Sequence, residues 1–319
     1  MASEFELIAR YFKRPARTVA LGSGDDCALI KAPTGLVLAI TTDMLAEGTH
    51  FLAGTDPHRL GHKSLAVNLS DLAAMGADPR WFLLALALPD SDEAWLGAFA
   101  AGMFALAAAH SIELIGGDTT RGPRNICITA IGTLPPGYAL RRDAAAPGED
   151  VWLSGSTGDA ALGLAYVTGK VQLDQMTAAH CLGRLEAPAP RVALGRRLRG
   201  LAAAAIDVSD GLLADLGHLV EQSKVGAEIE YAALPRSAAL RACADRVLAD
   251  ECLLAGGDDY ELVFAAAPDR RLPIEAAADG AGVPVTRIGR ITAGAPRVQV
   301  LDASGRPMSV GRGGFDHFR

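Results

Sequence analysis

Glycine and aspartate recur where apolar, strand-like runs end, and this pattern constrains the fold more than any other feature of the chain. The runs LVLAITTD, IELIGGD and AAIDVSD close on Asp43, Asp118 and Asp210. Helical patterns lie between such runs, for instance over residues 56–76 and 92–110. Alternating strands and helices predict a mixed α/β fold whose strand ends carry the groups that bind ligands.

The alternation runs through both halves of the chain and is interrupted once, at the small-residue, Pro/Gly-containing segment RRDAAAPGED. With 319 residues, of which 50% are hydrophobic, the chain is long enough for two packed cores. We therefore predict two α/β domains, over residues 1–145 and 146–319.

Composition excludes several classes of partner. Acidic residues outnumber basic ones by 37 to 30, and Lys and Arg form no stripe of the kind that binds nucleic acid. The opening MASEFELIARYFKR lacks the apolar core of a signal peptide, and no later window is apolar enough to span a bilayer. We expect a soluble, cytoplasmic protein with no nucleic-acid or membrane partner.

Common catalytic and metal motifs are missing as well. The sequence has no GxxxxGK[ST] loop, and its Gly22-Ser23-Gly24 segment lacks the third glycine of a dinucleotide fingerprint. HExxH and GxSxG do not occur, and the five cysteines form no CxxC pair. A P-loop enzyme, a zinc protease, an esterase and a disulfide framework are therefore disfavoured.

Two interpretations of the Gly/Asp segments stay open at this stage. Aspartate beside glycine is often a turn residue or a helix N-cap, and each segment taken singly fits that role. Their number favours a second interpretation, because carboxylates that converge at strand ends repel one another unless cations lie between them. Hard oxygen ligands select Mg²⁺ or Ca²⁺, and Mg²⁺ with a phosphate substrate is the pairing we predict.

Single polar residues near these segments bear on the same question. Asp71 lies in the apolar helical run SLAVNLSDLAAMGA, where a buried, unpaired charge would cost several kcal/mol, so a metal or a hydrogen-bond network is expected to meet it. His50 follows Asp43 closely and is either structural or a neighbour of bound phosphate. Lys63 is either a surface lysine or part of the site.

Seven motifs taken together resemble one known family. They are LGSGDDCALI, ITTDMLAEGTHF, KSLAVNLSDLAAMGADP, LIGGDTTRG, IDVSDGL, GGDDYEL and GGFDHF. Collinear across nearly the whole chain, they resemble the thiamine-monophosphate kinase family. The Gly-Asp-Asp loop and NLSDLAAMGA also mark a wider superfamily of ATP-using synthetases, which includes aminoimidazole ribonucleotide synthetase and selenophosphate synthetase.

The resemblance implies a two-domain synthetase-like fold. Its N-terminal α/β domain binds ATP and magnesium and carries a sheet that pairs with its twin in a homodimer, and its C-terminal α/β domain completes the active-site cleft. ATP is the co-substrate and several Mg²⁺ ions are cofactors. The implied reaction is the ATP-dependent, direct in-line phosphorylation of thiamine monophosphate to thiamine diphosphate.

Carried over position by position, the resemblance assigns three groups of residues. The first matches the family's magnesium ligands: Asp26, Thr41, Thr42, Asp43, Asp71, Asp118, Asp207 and Asp210. The second matches its ATP contacts: Gly117, Arg142 and Ser209. The third matches its substrate-binding positions: His50, Asp258 and Phe315. No nucleophile or base is assigned, because the attacking phosphate oxygen is already ionised at neutral pH.

Three of these residues call for comment. Arg142 suits a charge-neutralising role better than a lysine would, because its guanidinium is planar and always charged. Phe315 either stacks on the substrate's aromatic ring or anchors the tail, and the family resemblance favours stacking. Asp258 stands where the family usually has Glu, so its carboxylate reaches one methylene less far.

Two other functions are weighed against this one. An aminoimidazole ribonucleotide synthetase-like enzyme would turn over formylglycinamidine ribonucleotide with ATP and leave thiamine phosphate untouched. A non-catalytic nucleotide-binding regulatory module would bind ATP and Mg²⁺ without releasing ADP. The complete set of aspartates favours catalysis, since binding alone would not require all of it.

Overall fold

The chain forms two compact units, and its structure, a computed structural model, describes residues 4–23, 27–309 and 314. Unit 1 comprises Met1–Leu72 and Ala77–Gly137, and unit 2 comprises Ala73–Gly76 and Tyr138–Arg319. Each unit has its own sheet and helices. The mixed α/β fold class predicted from the sequence is confirmed.

In the part of unit 1 that the structure describes there are four strands and three α-helices. In chain order they are α1 (Glu4–Leu7) with a π-helical turn (Ile8–Phe12), β1 (Val37–Ala46), α2 (Pro57–Ala74), β2 (Asp78–Leu88), α3 (Glu93–His110), β3 (Glu113–Arg121) and β4 (Asn125–Leu134). The strand order is β1-β4-β2-β3. β4 pairs antiparallel with both β1 and β2, whereas β2 and β3 are parallel. β1 and β3 are thus the edges of this sheet.

Glycines allow α2 and α3 to approach each other closely. A Cβ atom at Gly61 would lie 2.0 Å from the carbonyl oxygen of Phe99, and one at Gly102 would lie 1.8 Å from that of His58. Neither position has room for a side chain, so the two backbones are in direct contact there. Asp92 fixes the start of α3 because its side chain accepts hydrogen bonds from two backbone N–H groups.

Over its described residues, unit 2 contains six strands and seven α-helices. In chain order they are β5 (Asp150–Ser154), α4 (Asp159–Val167), α5 (Gln175–Glu186), α6 (Val192–Arg197), β6 (Ala204–Asp207), α7 (Leu212–Ser223), β7 (Gly226–Glu230), α8 (Ala238–Ala242), α9 (Arg246–Ala255), β8 (Leu262–Ala266), α10 (Arg271–Ala281), β9 (Val285–Thr292) and β10 (Val298–Leu301). Their order is β10-β7-β9-β5-β8-β6. All neighbours are antiparallel except β10 and β7.

The core of unit 2 explains why strands β5, β6 and β8 have apolar residues at consecutive positions. Every residue of β5, β6 and β8 is buried. Val151, Ile206, Val263 and Leu219 belong to one cluster that joins these strands to α7. Two covered faces require apolar side chains at consecutive positions rather than at alternate ones.

The structure corrects several predicted element boundaries. β1 extends three residues beyond the predicted end at Asp43. The apolar pattern over residues 190–203 predicts one helix, but α6 covers only Val192–Arg197 and turns replace the last part of the predicted helix. The predicted strand AAIDVSD ends at Asp207, and the amides of Ser209 and Asp210 bond to the side chain of Asp215 instead of to a neighbouring strand.

All five cysteines are free thiols. Cys27 is exposed and Cys127 is partly buried, whereas Cys181, Cys243 and Cys252 are buried. Burial is the main cause that raises the pKa of Cys181 and of Cys252 to about 12. These two thiols are therefore packing residues and not nucleophiles.

Across the residues that the structure describes, no helix combines the length and the apolar character needed to cross a membrane.

Candidate active site

Oxygen donors gather where β1 of unit 1 runs beside α2. Thr41 Oγ1 donates a hydrogen bond to Asp71 Oδ2, so the predicted ligands on β1 and α2 are in direct contact. The backbone N–H of Asp43 donates to Asn68 Oδ1 at 3.2 Å, one helical turn before Asp71. Asp71 is partly buried, and a hydrogen-bond partner meets its carboxylate, as the apolar sequence around it predicted.

Thr42 points away from this group. Consecutive side chains of a strand project to opposite faces, and Thr42 Oγ1 lies 2.8 Å from Thr129 Oγ1 on β4. On the same face of β1 lie three exposed apolar residues, Leu38, Ile40 and Met44, with exposures of 42%, 63% and 56%. The Thr42 hydroxyl is therefore separated from Thr41 and Asp71.

His50 lies in the turn that follows β1. Its Nδ1 accepts a hydrogen bond from the backbone N–H of Ala46 at 3.0 Å, which leaves Nε2 as the atom that carries the proton in the neutral ring. Lys63 Nζ donates to the backbone carbonyl of His50 at 3.4 Å. Lys63 is only 3% exposed, so it is a buried partner of this turn and not a surface lysine.

Gly117 and Asp118 lie on β3, at the other edge of the same sheet. A Cβ atom at Gly117 would lie 1.9 Å from the carbonyl oxygen of Leu84, and its φ of +152° also requires glycine. Three strand spacings of roughly 4.8 Å separate β3 from β1. Asp118 consequently belongs to a different part of unit 1 from Asp43 and Asp71.

A cavity of about 980 Å³ opens beside β3 in unit 1. Gly116, Gly117 and Asp118 line it, with Ile8 and Phe12 from the N-terminal helical turns and Ser23 from the glycine-rich loop. Its volume is at the upper end for a pocket that takes a drug-sized ligand. Of the predicted residues, Gly117 and Asp118 therefore face a space large enough for a nucleotide.

In unit 2, two loops bring four predicted residues together. The 208–211 loop follows β6 and the 256–261 loop precedes β8. Three backbone hydrogen bonds of 2.8 Å join the loops: Val208 N–H to Glu261 O, Asp258 N–H to Ser209 O, and Tyr260 N–H to Val208 O. Ser209, Asp210 and Asp258 thus lie on one pair of adjoining loops, and Asp207 is the last residue of β6, directly before the first of them.

Asp215, which the sequence analysis did not select, holds the 208–211 loop. Its Oδ2 accepts hydrogen bonds from the backbone N–H groups of Ser209, Asp210 and Gly211 at 3.0, 3.0 and 3.1 Å. Burial raises the pKa of the Asp215 carboxyl to about 7, although these three donors lower it. The sequence signal for this residue is an aspartate, in DLGHL, on the apolar face of an amphipathic helix, where a charged side chain needs a partner.

The remaining predicted residues are less closely connected. Arg142 is exposed, and its backbone carbonyl accepts a hydrogen bond from Ser223 Oγ at 2.7 Å. Gly314 lies next to Asp210, because a Cβ atom there would be 3.0 Å from the Asp210 carbonyl oxygen. Asp26 and Phe315 lie outside the described residues.

The oxygen donors beside β1, on Thr41, Asp43 and Asp71, are of the chemical type that binds Mg²⁺. They are hydroxyl and carboxylate oxygens, the ligand type that Mg²⁺ prefers, and Mg²⁺ is commonly held by one or two carboxylates together with substrate phosphates. No cluster of three or more His, Cys, Asp and Glu side chains suited to a metal is found among residues 4–23, 27–309 and 314.

Comparison with known proteins agrees with the two-unit architecture. The sequence model of the family "AIR synthase related protein, N-terminal domain" matches residues 24–134, and that of the C-terminal domain matches residues 146–301. The two family models therefore define a two-domain protein of the AIR synthase related class.

Relatives that match the chain over its full length identify one family within this class. The chain is 46% identical to the thiamine-monophosphate kinase of Salmonella typhimurium over 319 residues, which cover 99% of this chain and 98% of the relative. It is 32% identical to that of Bacillus subtilis over 99% of both chains. The chain belongs to the thiamine-monophosphate kinase family.

Solved structures agree with this assignment. The crystal structure of thiamine-monophosphate kinase from Stenotrophomonas maltophilia K279a is 47% identical, with a TM-score of 0.85 and 95% of each chain covered. AaThiL complexed with AMPPCP and TMP is 28% identical, with a TM-score of 0.77 and coverage of 99% of this chain and 97% of that one.

Proposed function

We propose that this chain catalyses Mg²⁺-dependent transfer of the γ-phosphoryl group of ATP to thiamine monophosphate, giving thiamine diphosphate and ADP. One observation carries the proposal: the chain matches thiamine-monophosphate kinases at 46% identity over 99% of its length. Kinase activity and the use of ATP follow from that family membership. The requirement for Mg²⁺, the residue roles and the cytoplasmic location are further parts of the proposal.

In the proposed reaction, an ionised phosphate oxygen of thiamine monophosphate attacks the γ-phosphorus of ATP. The bond from that phosphorus to the β,γ-bridging oxygen breaks, and ADP leaves with the electron pair. No side chain has to remove a proton, because the attacking oxygen is already ionised at neutral pH. The protein contributes by positioning the two substrates and neutralising charge.

The proposed roles are assigned to residues of each unit separately. In unit 1 the cavity beside Gly117 suits the nucleotide, and Thr41, Asp43 and Asp71 would hold Mg²⁺. In unit 2 Asp207 and Asp210 would hold Mg²⁺, Ser209 would contact ATP and Asp258 would contact the substrate. When bound, the metal would neutralise the phosphate charges that develop during transfer. Asp26, Asp118, Arg142, His50 and Phe315 keep the roles proposed from the resemblance, whereas the Thr42 hydroxyl lies on the other face of β1 from Thr41 and Asp71 and is not assigned to the metal.

A panel of phosphate acceptors tests the proposed function. Purified protein is incubated with ATP and Mg²⁺ plus thiamine monophosphate, plus formylglycinamidine ribonucleotide, or with no acceptor, and ADP and the phosphorylated products are separated by chromatography. We expect ADP and thiamine diphosphate only with thiamine monophosphate, and neither after chelation of the metal. Turnover of formylglycinamidine ribonucleotide instead would favour the synthetase function, and ATP binding without any ADP release would favour a regulatory module.

The exposed apolar face of β1 supports the proposed homodimer. β1 is an edge strand, and its residues Leu38, Ile40 and Met44 are exposed on one face. An exposed, apolar edge strand favours pairing with another chain. We propose that two copies associate through this face, as the family resemblance implies.

Replacement of Ile40 by glutamate tests the dimer. We expect the substituted protein to sediment as a monomer where the unsubstituted protein sediments as a dimer, because two charges would be buried without partners at the interface. Leu272→Glu is the matched control, since Leu272 is 78% exposed but lies on α10 of unit 2. Equal sedimentation of the Ile40→Glu and unsubstituted proteins would contradict the proposed interface.

A further inference from the structure

Glu261 is the most heavily paired carboxylate at the base of the 256–261 loop. It is 1% exposed, and Arg191 contacts it with two nitrogens, Nε at 2.6 Å from Oε2 and Nη2 at Oε1. Arg184 Nη2 donates to Oε1 at 2.9 Å, and Ser154 Oγ donates to Oε2 at 2.6 Å. A buried carboxylate with this many charge-assisted partners has a single side-chain position.

The backbone around Glu261 is equally constrained. Ser154 Oγ also accepts from the N–H of Leu262 at 2.8 Å, which fixes the residue after Glu261. Gly155 leaves the space that the carboxylate occupies, because a Cβ atom there would lie 2.2 Å from Glu261 Oε1. Arg184 Nη2 reaches the backbone carbonyl of Asp259 as well, at 3.3 Å. The same guanidinium therefore binds both the side chain of Glu261 and the main chain of the loop.

The loop that Glu261 closes has a strained backbone. Asp258 and Tyr260 have φ values of +68° and +52°, in the left-handed region that disfavours residues with a Cβ atom. Such residues keep this conformation only when the surrounding structure enforces it, and they concentrate at functional sites. Asp259, between them, is buried and accepts from the N–H of Gly158 at 2.6 Å.

The strained conformation determines where Asp258 lies. Its N–H bonds to Ser209 O, and its Oδ1 accepts a hydrogen bond from Tyr260 Oη at 3.1 Å. If Asp258 relaxed to a right-handed or extended conformation, its side chain would leave this position and the bond to the 208–211 loop would break. Both loops carry residues to which we assign substrate or metal contacts.

We propose that Glu261, with Arg184 and Arg191 as its partners, is a positioning residue for the kinase reaction. It holds the 256–261 loop in the left-handed conformation that presents Asp258 to the phosphate acceptor. Glu261 itself touches neither substrate nor metal in this proposal, which rests on the proposed function of Asp258.

The test compares substitutions of two buried carboxylates, Glu261 and Asp150, that lie near opposite ends of β5. Glu261→Gln keeps the shape of the side chain and removes the charge that Arg184 and Arg191 share. Asp150→Asn does the same at the opposite end of β5, where Asp150 is 3% exposed and binds Arg271 at 2.6 and 2.8 Å. Both substitutions disrupt an ion pair between a buried carboxylate and an arginine, but only Glu261 belongs to the 256–261 loop.

We expect Glu261→Gln to raise KM for thiamine monophosphate by about tenfold or more, because small misplacements of a binding group have large kinetic effects. Asp150→Asn should leave the KM for thiamine monophosphate at the value of the unsubstituted protein, even if it lowers the melting temperature as much as Glu261→Gln does. Arg191→Lys, which keeps the charge and loses the two-nitrogen contact, should raise KM by a smaller factor. It also serves as the test variant if Glu261→Gln does not fold.

A second measurement does not depend on activity. Hydrogen exchange of the Asp258 and Tyr260 amides, which bond to Ser209 O and Val208 O, should be faster in Glu261→Gln than in Asp150→Asn. Unchanged KM and unchanged exchange in Glu261→Gln, or the same changes in both variants, would overturn the proposal. If the unsubstituted protein makes no thiamine diphosphate, the proposed function fails, and the exchange experiment still decides whether Glu261 holds the loop.

Discussion

Replacing Asp43 with alanine is expected to lower kcat for thiamine diphosphate formation by about 10²- to 10³-fold, the usual effect of removing one group that stabilises transition-state charge. Asp43 lies on β1 beside Asn68, and the adjoining Thr41 and Asp71 are already in contact. Loss of its carboxylate would remove a hard oxygen donor from the proposed Mg²⁺ group. The measurement is kcat over a range of Mg²⁺ concentrations, and we expect high Mg²⁺ to restore part of the activity.

Asp92→Ala is the matched control for this substitution. Asp92 lies in the same unit, and its carboxylate accepts from Ala94 N–H at 2.9 Å and Trp95 N–H at 3.1 Å as the N-cap of α3. We expect it to lower the free energy of unfolding by about 1 kcal/mol and to leave kcat unchanged. An Asp43→Ala protein with normal kcat, or an equal loss of activity in Asp92→Ala, would contradict the assignment of Asp43.

Replacing Gly102 with alanine is expected to lower the free energy of unfolding by about 3 kcal/mol, the upper end of the usual range for overpacking. The added methyl would lie 1.8 Å from the carbonyl oxygen of His58, a backbone atom that cannot turn away as a side chain can. α2 and α3 would have to move apart along their contact. Denaturant unfolding measures the change.

Gly97→Ala is the matched control on the same helix. Its methyl would lie 3.4 Å from Tyr11 Cε1, an ordinary contact. Since alanine favours a helix over glycine by about 1 kcal/mol, we expect this protein to be as stable as the unsubstituted one or slightly more stable. A Gly102→Ala protein with unchanged stability would show that the two helices are not in backbone contact at this position.

The sequence predicts most of the fold because its strands and helices differ clearly in the periodicity of their apolar residues. The apolar run NICITAIGTL predicts a strand over residues 125–134 and the apolar periodicity over 212–223 predicts a helix, and the structure has β4 and α7 at these bounds. α5 was missed although Asp174 provides an N-cap, because polar and small residues dominate this helix and only three of its side chains are buried. Strand order was not predictable, since β5 pairs with β8 and β9 far along the chain.

The candidate site was only partly predictable, for a different physical reason. Aspartates that follow strand-like apolar runs can be recognised locally, so Asp43, Asp207 and Asp210 are candidates from the sequence alone, although β1 continues past Asp43 to Ala46. Glu261 and Asp215 act by holding backbone N–H groups or arginines of other segments, and those contacts exist only after folding. Thr42 matches the family motif, but its side chain contacts Thr129 on the face of β1 opposite to Asp71. The motif alone does not show this direction.

The most direct test of the account is a ³¹P nuclear magnetic resonance time course of the purified protein with ATP, Mg²⁺ and thiamine monophosphate. The account predicts that the monophosphate signal of thiamine monophosphate disappears as the two coupled signals of thiamine diphosphate grow, in equal amount to ADP and without free orthophosphate. ADP formed with orthophosphate while thiamine monophosphate stays unchanged, or no reaction at all, would contradict it.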